Sequence, residues 1–328
     1  MTGYLLEVED LTVAFASRDG TVLANDGVSL KLRPGETLGI VGESGSGKSV
    51  LCRAILGLAK GKVTARRIAF DGRNIDEMTP AERRRLRGSG IAMVFQSPKS
   101  SIDPVWSIGD QLVETVRLHK PVTRKQARIE AAALLDRVGI ASSLRRLDDY
   151  PHQWSGGMLQ RAVIALALAG NPRLILADEP TAALDVTIQD QILALLMSLQ
   201  RETGMAMIMV SHDLGVIAET VDRVAVMYAG RIVETADVRD LFQAPQHPYT
   251  AGLFASMVAG SGQDKILTPI PGQPPDLQNL PGGCAFAPRC PRVRVECNRS
   301  VPRIDASVAR ANACLFPIGE PLAMALQP

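Results

Sequence analysis

The chain has 328 residues, of which 46% are hydrophobic and 21% charged, and this composition excludes wholesale disorder and suits a globular protein of about two domains. Its 36 basic and 34 acidic residues leave a formal net charge of +2, so charge gives no global sign of nucleic-acid or anionic-lipid binding. No apolar run approaches the roughly 18 residues that span a bilayer, and the N-terminus lacks the features of a secretory signal. We therefore expect a cytosolic protein whose membrane association is peripheral.

Short apolar stretches in the first hundred residues predict strands on both sides of a glycine-rich loop. Residues 5–8 and 11–15 alternate between apolar and polar side chains, which is typical of half-buried strands. Residues 37–41 are almost continuously apolar, as in a strand that is buried on both faces. A helix is predicted over residues 49–58 and a further strand over 91–95, so this part of the chain begins an α/β pattern.

A helical stretch interrupts this pattern in the middle of the chain. Residues 108–138 and 158–169 have helical periodicity, with breaks at Pro121 and Gly139. Strands are predicted again after that stretch, and their alternation with helices indicates an α/β fold with a mainly parallel sheet. We interpret residues 97–170 as a helical subdomain inserted into that fold.

The last quarter of the chain is rich in proline and cysteine. Residues 243–282 are predicted to form an extended linker, since segments so dense in proline do not form regular elements. Four of the five cysteines follow in the pattern Cys-x5-Cys-x6-Cys-x16-Cys, which matches neither paired zinc ligands nor ferredoxins. Spacing alone leaves a four-thiolate metal site and free thiols both open for Cys284, Cys290, Cys297 and Cys314. The fifth, Cys52, is expected to pack in the interior.

The glycine-rich loop, here called the phosphate loop, consists of Gly42-Glu43-Ser44-Gly45-Ser46-Gly47-Lys48-Ser49. This is the full G-x-x-x-x-G-K-[ST] pattern, placed between a buried strand and a helix as the motif requires. Its glycines let backbone N–H groups curl around phosphate oxygens, and the following helix adds its N-terminal dipole. Lys48 is expected to reach the terminal phosphates, and the Ser49 hydroxyl to ligate Mg²⁺.

Two acidic residues, Asp178 and Glu179, follow an apolar stretch that predicts a strand over 174–177. Ligands of open α/β sheets bind at the carboxyl ends of such strands. Asp178 is expected to hold Mg²⁺, directly or through water, and Glu179 to polarise an attacking water. By itself an Asp-Glu pair after an apolar run is more typical of a helix cap or a turn, but the phosphate loop favours the functional interpretation.

A third motif, Trp154-Ser155-Gly156-Gly157-Met158, precedes a predicted helix and comes shortly before the acidic pair. A serine and two glycines at a helix N-terminus form a second anion site. With these motifs the chain resembles the ATP-binding subunits of ABC transporters, whose signature is usually Leu-Ser-Gly-Gly-Gln. Ser155, Gly156 and Gly157 match that signature, whereas Trp154 and Met158 depart from it. The methionine variant is similar to the oligopeptide/dipeptide importer branch.

The resemblance covers about residues 4–240 and implies an ABC-type P-loop nucleotide-binding domain with a RecA-like core, an antiparallel β subdomain and the helical subdomain. It implies catalytic roles for Glu179, for Gln96 as the residue that senses the γ-phosphate and for His212 as the switch histidine. It also places Asp185 at a dimer seam and Mg²⁺ on Ser49, Gln96 and Asp178. The implied nucleotide-binding residues are Phe15, which would stack on adenine, with Gly42, Ser44, Gly45, Ser46, Gly47, Lys48, Ser49, Val50, Gln96 and Asp178.

The resemblance continues into residues 241–328, through Gln246-His247-Pro248-Tyr249-Thr250 and the residues around the first two clustered cysteines. These are similar to the C-terminal extension of oligopeptide/dipeptide ATPases, which implies a 4Fe–4S cluster on the four cysteines, with zinc as the alternative. The chain then divides into an ATPase domain, 1–240, and this extension, 241–328. Because the cysteines and the phosphate loop lie far apart in the sequence, we expect them to function independently.

The resemblance implies an ATP-hydrolysing subunit of a peptide importer at the cytoplasmic face of the inner membrane. Two such subunits would enclose two ATP molecules, each between the phosphate loop of one chain and residues 155–157 of the other. The implied partners are a homologous second ATPase subunit in a heterodimer, two transmembrane permease subunits and an extracytoplasmic substrate-binding protein, with no nucleic acid. Trp106 and residues 97–115 are expected to line the groove that receives a permease helix.

Three alternatives stay open at this point. The cargo of the importer could be nickel, glutathione or another small solute. A soluble ABC ATPase that acts on ribosomes or DNA is a second alternative, but the chain has neither a tandem cassette nor an inserted coiled coil. A regulatory protein that binds ATP without hydrolysing it is a third, and the intact Lys48, Asp178, Glu179 and His212 argue against it.

Overall fold

The computed structural model of the chain describes residues 3–18, 20–182, 184–257, 269–300, 302–304, 308 and 310–319. These residues form two compact units that alternate along the sequence. Unit 1 contains the described residues of 1–5, 32–37 and 71–210, and unit 2 contains those of 6–31, 38–70 and 211–328. The described residues beyond 240 thus belong to the same compact unit as the phosphate loop.

In the described residues the strands, in chain order, are β1 (Leu6–Ser17), β2 (Gly20–Leu32), β3 (Thr37–Val41), β4 (Lys62–Thr64), β5 (Arg67–Phe70), β6 (Arg73–Asn74), β7 (Ile91–Val94), β8 (Leu174–Asp178), β9 (Ala206–Val210), β10 (Arg223–Tyr228), β11 (Arg231–Asp237) and β12 (Ala311–Asn312). The α-helices are α1 (Lys48–Ile55), α2 (Pro80–Ser89), α3 (Pro98–Ser101), α4 (Ile108–His119), α5 (Arg124–Arg137), α6 (Ser143–Arg146), α7 (Gly156–Leu168), α8 (Val186–Thr203), α9 (Leu214–Thr220), α10 (Val238–Gln243) and α11 (Pro248–Met257). Within the described ranges, no helix combines the length and the apolar composition needed to cross a bilayer.

Unit 2 contains a sheet in which β1 lies beside β2 and pairs antiparallel with β4 and β5. The prediction of two strands over 5–8 and 11–15 is wrong in one respect, because β1 is continuous and accommodates Asp10 at a φ of 53°. Elsewhere in this unit β3 runs parallel to β10, and β10 and β12 pair antiparallel with β11. Every residue of β3 is buried, as its apolar sequence predicts, so the phosphate loop starts from a fully covered strand.

Unit 1 contains the parallel neighbours β7, β8 and β9. All residues of these three strands are buried, which explains why their sequences are nearly continuous apolar runs. Asp178 is the last residue of β8 and is buried with it. The predicted α/β fold with parallel strands is confirmed.

The helices predicted between residues 97 and 170 are present in unit 1. Helix α4 ends at His119, before Pro121, and α5 begins after Thr123, whose hydroxyl accepts a hydrogen bond from the Gln126 N–H at 3.3 Å. Helices α4, α5 and α7 pack against one another. Their buried apolar faces, which include Leu112 and Leu135, form the core of this helical layer.

The prediction of an extended linker over 243–282 is wrong for its first part, since α11 occupies Pro248–Met257. Pro248 stands at the first position of this helix, where a missing N–H costs no hydrogen bond. The buried carboxylate of Glu234 accepts hydrogen bonds from the N–H groups of Gln246 (2.7 Å) and His247 (2.8 Å) just before the helix begins. Residues 258–268 of the expected linker lie outside the described residues, and 269–282 contain neither helix nor strand.

We predict that Leu112→Ala lowers the free energy of unfolding by about 2–5 kcal/mol, the usual cost of truncating a fully buried leucine. Leu118 lies on the same helix but is 67% exposed, so Leu118→Ala should change that free energy by no more than about 0.5 kcal/mol. Urea unfolding followed by circular dichroism measures both variants. Equal effects at the two positions would contradict the assignment of the buried face of α4.

Candidate functional site

The phosphate loop passes so close to neighbouring backbone that two of its positions admit only glycine. Gly42 and Gly47 have φ values of 150° and 99°, a region that side chains disfavour. A Cβ on Gly42 would lie 2.2 Å from the carbonyl oxygen of Met227, and one on Gly47 would lie 2.2 Å from that of Ala24. Packing inside the protein therefore requires glycine at both positions.

Lys48 lies folded into the phosphate loop. Its Nζ donates hydrogen bonds to the carbonyl oxygens of Gly42 and Glu43, both at 2.8 Å, and to Ser46 Oγ at 3.3 Å. The side chain is only 5% exposed, so water screens its charge weakly. Helix α1 begins at this lysine, and Ser49 and Val50 follow half-buried in its first turn. The loop thus combines a cation with a helix N-terminus, which is the arrangement that binds phosphate.

Residues of the C-terminal region contact the phosphate loop directly. The hydroxyl of Tyr249 accepts a hydrogen bond from the N–H of Glu43 at 2.9 Å, and the guanidinium of Arg289 donates to both carboxylate oxygens of Glu43 at 2.8 and 3.0 Å. The extension and the phosphate loop, which are far apart in the sequence, are therefore in direct contact, and their functional independence stays a prediction. These contacts join residues more than 200 positions apart, so no local sequence signal could have revealed them.

The acidic pair and the predicted sensor glutamine meet in unit 1. Gln96, which follows β7, donates from Nε2 to Glu179 Oε2 at 2.8 Å. Asp178 is 1% exposed at the end of β8. Glu179 follows with a φ of 47°, an uncommon backbone conformation for a residue other than glycine, and its N–H donates to the Val210 carbonyl oxygen at 3.0 Å. Strain of this kind clusters at functional sites.

The signature residues lie on the surface of unit 1. Ser155 caps α7, since its Oγ accepts from the N–H of Met158 at 3.3 Å, and both Ser155 and Gly156 are exposed. Asp185 caps α8 in the same way, through a hydrogen bond from the N–H of Ile188 at 3.0 Å, and is also exposed. The residue after it, Val186, is an exposed apolar side chain that the sequence analysis did not single out. A second protein chain can therefore reach both helix N-termini.

The unusual tryptophan of the signature is accommodated by a polar contact. Trp154 is 6% exposed, and its Nε1 donates to Asp149 Oδ2 at 3.1 Å. A hydrogen bond from Arg146 lowers the pKa of the Asp149 carboxyl below its usual range, and the Trp154 contact lowers it further. Asp149 is thus held as the charged acceptor that a buried indole N–H needs.

The remaining predicted residues lie in unit 2. His212 is exposed, two residues after the end of β9, and Asp213 caps the following helix α9. Phe15 is half-buried on β1, and Gln278 donates to the hydroxyl of Ser17 on the same strand at 3.1 Å. The switch role of His212 and the adenine-stacking role of Phe15 stay predictions.

The four clustered cysteines line one cavity in unit 2, here called the cysteine cavity. Each thiol is half-buried, and the apolar side chains of Phe286 and Phe316 complete the lining. Burial raises the pKa of the thiols of Cys284, Cys290 and Cys314, in the last case to about 11. Among the described residues, no three His, Cys, Asp or Glu side chains stand at metal-ligand spacing. Cys52 is fully buried on α1, as predicted.

Two protein-family models match the chain. One, described as "ABC transporter", matches residues 25–182, and the other, described as "Oligopeptide/dipeptide transporter, C-terminal region", matches residues 233–297. The dipeptide transport ATP-binding protein DppD of Bacillus subtilis is 48% identical over 301 residues, which cover 91% of this chain and 90% of that protein. The oligopeptide transport ATP-binding protein OppD of Salmonella typhimurium is 46% identical over 318 residues, which cover 96% and 95%.

Solved structures of ATP-binding cassettes have a similar fold. The ATP-binding cassette MJ0796, in a dimeric post-hydrolysis state bound to ADP and Pi, superposes with a TM-score of 0.64 at 28% identity and covers 71% of this chain and 99% of its own. The cbiO1 protein of Clostridium perfringens, part of the ABC transporter complex cbiONQ, superposes with a TM-score of 0.63 at 30% identity and covers 74% and 91%.

Proposed function

The chain belongs to the ABC transporter family of ATP-binding proteins, in its oligopeptide/dipeptide branch, and from this premise we propose that it hydrolyses ATP to drive the import of peptides. The proposal is supported by the presence of three features in one chain. These are a phosphate loop suited to bind anions, a hydrogen-bonded pair of Gln96 and Glu179, and a region that matches the C-terminal region of oligopeptide/dipeptide transporters.

The phosphate loop binds the phosphates of ATP. Its backbone N–H groups and the first turn of α1 surround the phosphate oxygens, while Lys48 exchanges its contacts with loop carbonyls for contacts with the terminal phosphates. Phe15 stacks on the adenine. Ser44 and Ser46 of the loop and Val50 in the first turn of α1 complete the binding residues on this side.

Ser49, Gln96 and Asp178 would hold Mg²⁺, because hydroxyl, amide and carboxylate oxygens are the ligands that this ion prefers. When bound, the ion neutralises charge on the β- and γ-phosphates. The burial of Asp178 fits this role, since a carboxylate held away from water is ordinarily compensated by a cation.

Glu179 acts as the general base of hydrolysis. As the oxygen of a water molecule bonds to the γ-phosphorus, the bond to the bridging oxygen of ADP breaks and the Glu179 carboxylate takes up a proton. Gln96 orients that carboxylate through its hydrogen bond to Oε2. His212 serves as the switch residue that responds to the γ-phosphate.

Two ATPase subunits enclose two ATP molecules, and each site combines one chain's phosphate loop with residues 155–157 of the other. Support comes from the exposure of Ser155, Gly156 and Asp185 and of the neighbouring apolar Val186. We infer that the second subunit is a distinct homologue, so the pair is a heterodimer.

The pair is bound to two permease subunits at the cytoplasmic face of the inner membrane, and a substrate-binding protein delivers peptide from outside. Val105 and Trp106 support the contact with a permease, because both are large apolar side chains that are 73% and 49% exposed.

We infer that residues 1–240 are the ATPase domain and residues 241–328 an extension that a 4Fe–4S cluster stabilises, with zinc as the rival. Four thiols that line one cavity fit a group held by thiolates. A metal that binds thiolates would offset the burial that raises the pKa values of Cys284, Cys290 and Cys314. The cluster would link the loops between Cys284, Cys290, Cys297 and Cys314. Its role would be structural.

We predict that Glu179→Gln retains ATP binding but lowers the rate of hydrolysis at least about 100-fold, which is the lower end of the rate enhancement that a general base typically provides. The glutamine Oε1 can still accept the hydrogen bond from Gln96, so the geometry is kept while the base is lost. Glu202→Gln, at an exposed position of α8, is the matched control and should hydrolyse ATP normally. The measurement is phosphate release by the assembled transporter, and near-normal turnover of Glu179→Gln would remove it from this role.

We also predict that Ser155→Arg abolishes ATP-driven closure of the two subunits while the variant folds and binds ATP. A bulky cation at an exposed helix N-terminus both blocks the second chain and opposes the helix dipole. Thr123→Arg removes a comparable cap from α5 and should leave closure intact. Light scattering of the subunit pair with and without ATP distinguishes the variants, and normal closure of Ser155→Arg would contradict the shared site.

Protein purified without oxygen should contain about four irons per chain and absorb broadly across the visible range. Cys290→Ser should lose the iron, whereas Cys52→Ser, outside the cysteine cavity, should keep it. Elemental analysis decides between the candidates. One zinc per chain would favour the rival, and a folded complex without any metal would contradict both.

A further inference from the structure

We propose that Arg289 and Tyr249, two residues of the extension, position the phosphate loop and thereby set its affinity for nucleotide. The inference rests on the proposed binding of ATP phosphates by residues 42–49. It concerns a different question, namely which residues outside the loop hold it in its binding shape.

Arg289 bridges the phosphate loop and the proline-rich segment of unit 2. Its guanidinium donates to Glu43 Oε2 at 2.8 Å and Oε1 at 3.0 Å, and its Nε donates to the carbonyl oxygen of Pro271 at 2.9 Å. The side chain is 6% exposed. Paired hydrogen bonds of this kind fix direction as well as distance, so the Glu43 carboxylate is confined to one orientation.

Tyr249 fixes the backbone of the same loop residue. It is fully buried at the start of α11, and its hydroxyl accepts the N–H of Glu43 at 2.9 Å. The ring packs on Tyr228 and Phe286, with centroid distances of 4.5 and 5.4 Å, so this hydroxyl cannot shift freely. The side chain and the backbone of Glu43 are therefore both held by residues of the extension.

The charge of Glu43 makes this support relevant to nucleotide binding. Glu43 places a carboxylate within the loop that receives the phosphates, and an uncompensated carboxylate there would repel them. Arg289 supplies the compensating charge from a nearly buried position, where screening by water is weak. The guanidinium is thus expected to favour phosphate binding without touching the phosphate.

If these contacts only fastened the extension to the rest of unit 2, their loss would have different effects. Their loss would lower stability, and this effect would not depend on whether Glu43 carries a charge. A positioning role predicts instead that the affinity for ATP depends on the charge at position 43.

The first experiment measures the dissociation constant of ATP by calorimetry with the full-length chain. Arg289→Ala should raise the dissociation constant of ATP at least about fivefold, which is the lower end of the effects by which one site changes the affinity of another. Tyr249→Phe should also raise this constant, and it leaves the ring in the aromatic cluster. Arg289→Lys should be intermediate, because lysine keeps the charge but not the paired hydrogen bonds. Arg303→Ala is the matched control, because this arginine of the extension makes an exposed ion pair with Asp10. The Arg303→Ala variant should bind ATP normally.

The second experiment combines Arg289→Ala with Glu43→Gln. The double variant should bind ATP more tightly than Arg289→Ala alone, because no uncompensated carboxylate is left in the loop. A double variant no better than the single one, or wild-type affinity in both Arg289→Ala and Tyr249→Phe, would overturn the inference. Arg289→Lys and Tyr249→Phe supply the answer if Arg289→Ala does not fold.

Lys48→Ala separates this inference from the proposed function. If wild-type chain and Lys48→Ala bind ATP equally, the phosphate loop is not the nucleotide site and the proposed function fails. If Lys48→Ala loses ATP while Arg289→Ala and Tyr249→Phe retain it, only the positioning role fails.

Discussion

Contact between the backbone of the phosphate loop and its neighbours in unit 2 is the constraint on which the site depends. A side chain at Gly42 would collide with the carbonyl oxygen of Met227, and one at Gly47 with that of Ala24. Asn25 Nδ2 donates a hydrogen bond to the carbonyl oxygen of Gly47 at 3.1 Å. The N–H of Gly230 donates one to the carbonyl oxygen of Ser46, also at 3.1 Å. The backbone of the loop is therefore ordered by the protein itself, so little reorganisation of that backbone is needed when an anion binds.

The ion pair between buried Arg289 and half-buried Glu43 extends this constraint to the C-terminal region. Removing two charges from water is costly, and such a pair is weak evidence for stability unless its hydrogen bonds are satisfied. Here both carboxylate oxygens and the guanidinium Nε have partners. Arg289 directly precedes Cys290, whose thiol lines the cysteine cavity, so the residue that holds Glu43 adjoins that cavity in the sequence.

In unit 1 a strained backbone and a hydrogen bond from Gln96 position the candidate catalytic carboxylate of Glu179. The left-handed backbone of Glu179 costs about 1–3 kcal/mol, and the parallel strands β8 and β9 supply the rigid support that maintains it. Gln96 comes from the end of the adjacent strand β7. Parallel strands bring their carboxyl ends to one edge of the sheet, so residues 83 positions apart meet there.

The sequence by itself determined the parts that depend on local pattern. The buried strands β3 and β8, the helix that begins at Lys48 and the helix N-terminus at Ser155 follow from apolar runs and from side chains that satisfy nearby N–H groups. The phosphate loop was evident because its chemistry requires glycine and lysine at fixed spacing. These features were predicted correctly for that reason.

Only the tertiary structure decided what depends on contacts between distant residues. Helix α11 forms in a proline-rich region because Glu234, on β11, accepts the N–H groups that precede it. Glu43 occupies a variable position of the motif, and nothing in the sequence indicates that Tyr249 and Arg289 hold it. A residue's local pattern encodes its own conformation but not the identity of a partner 200 residues away, because that partner is chosen by the packing of the whole unit.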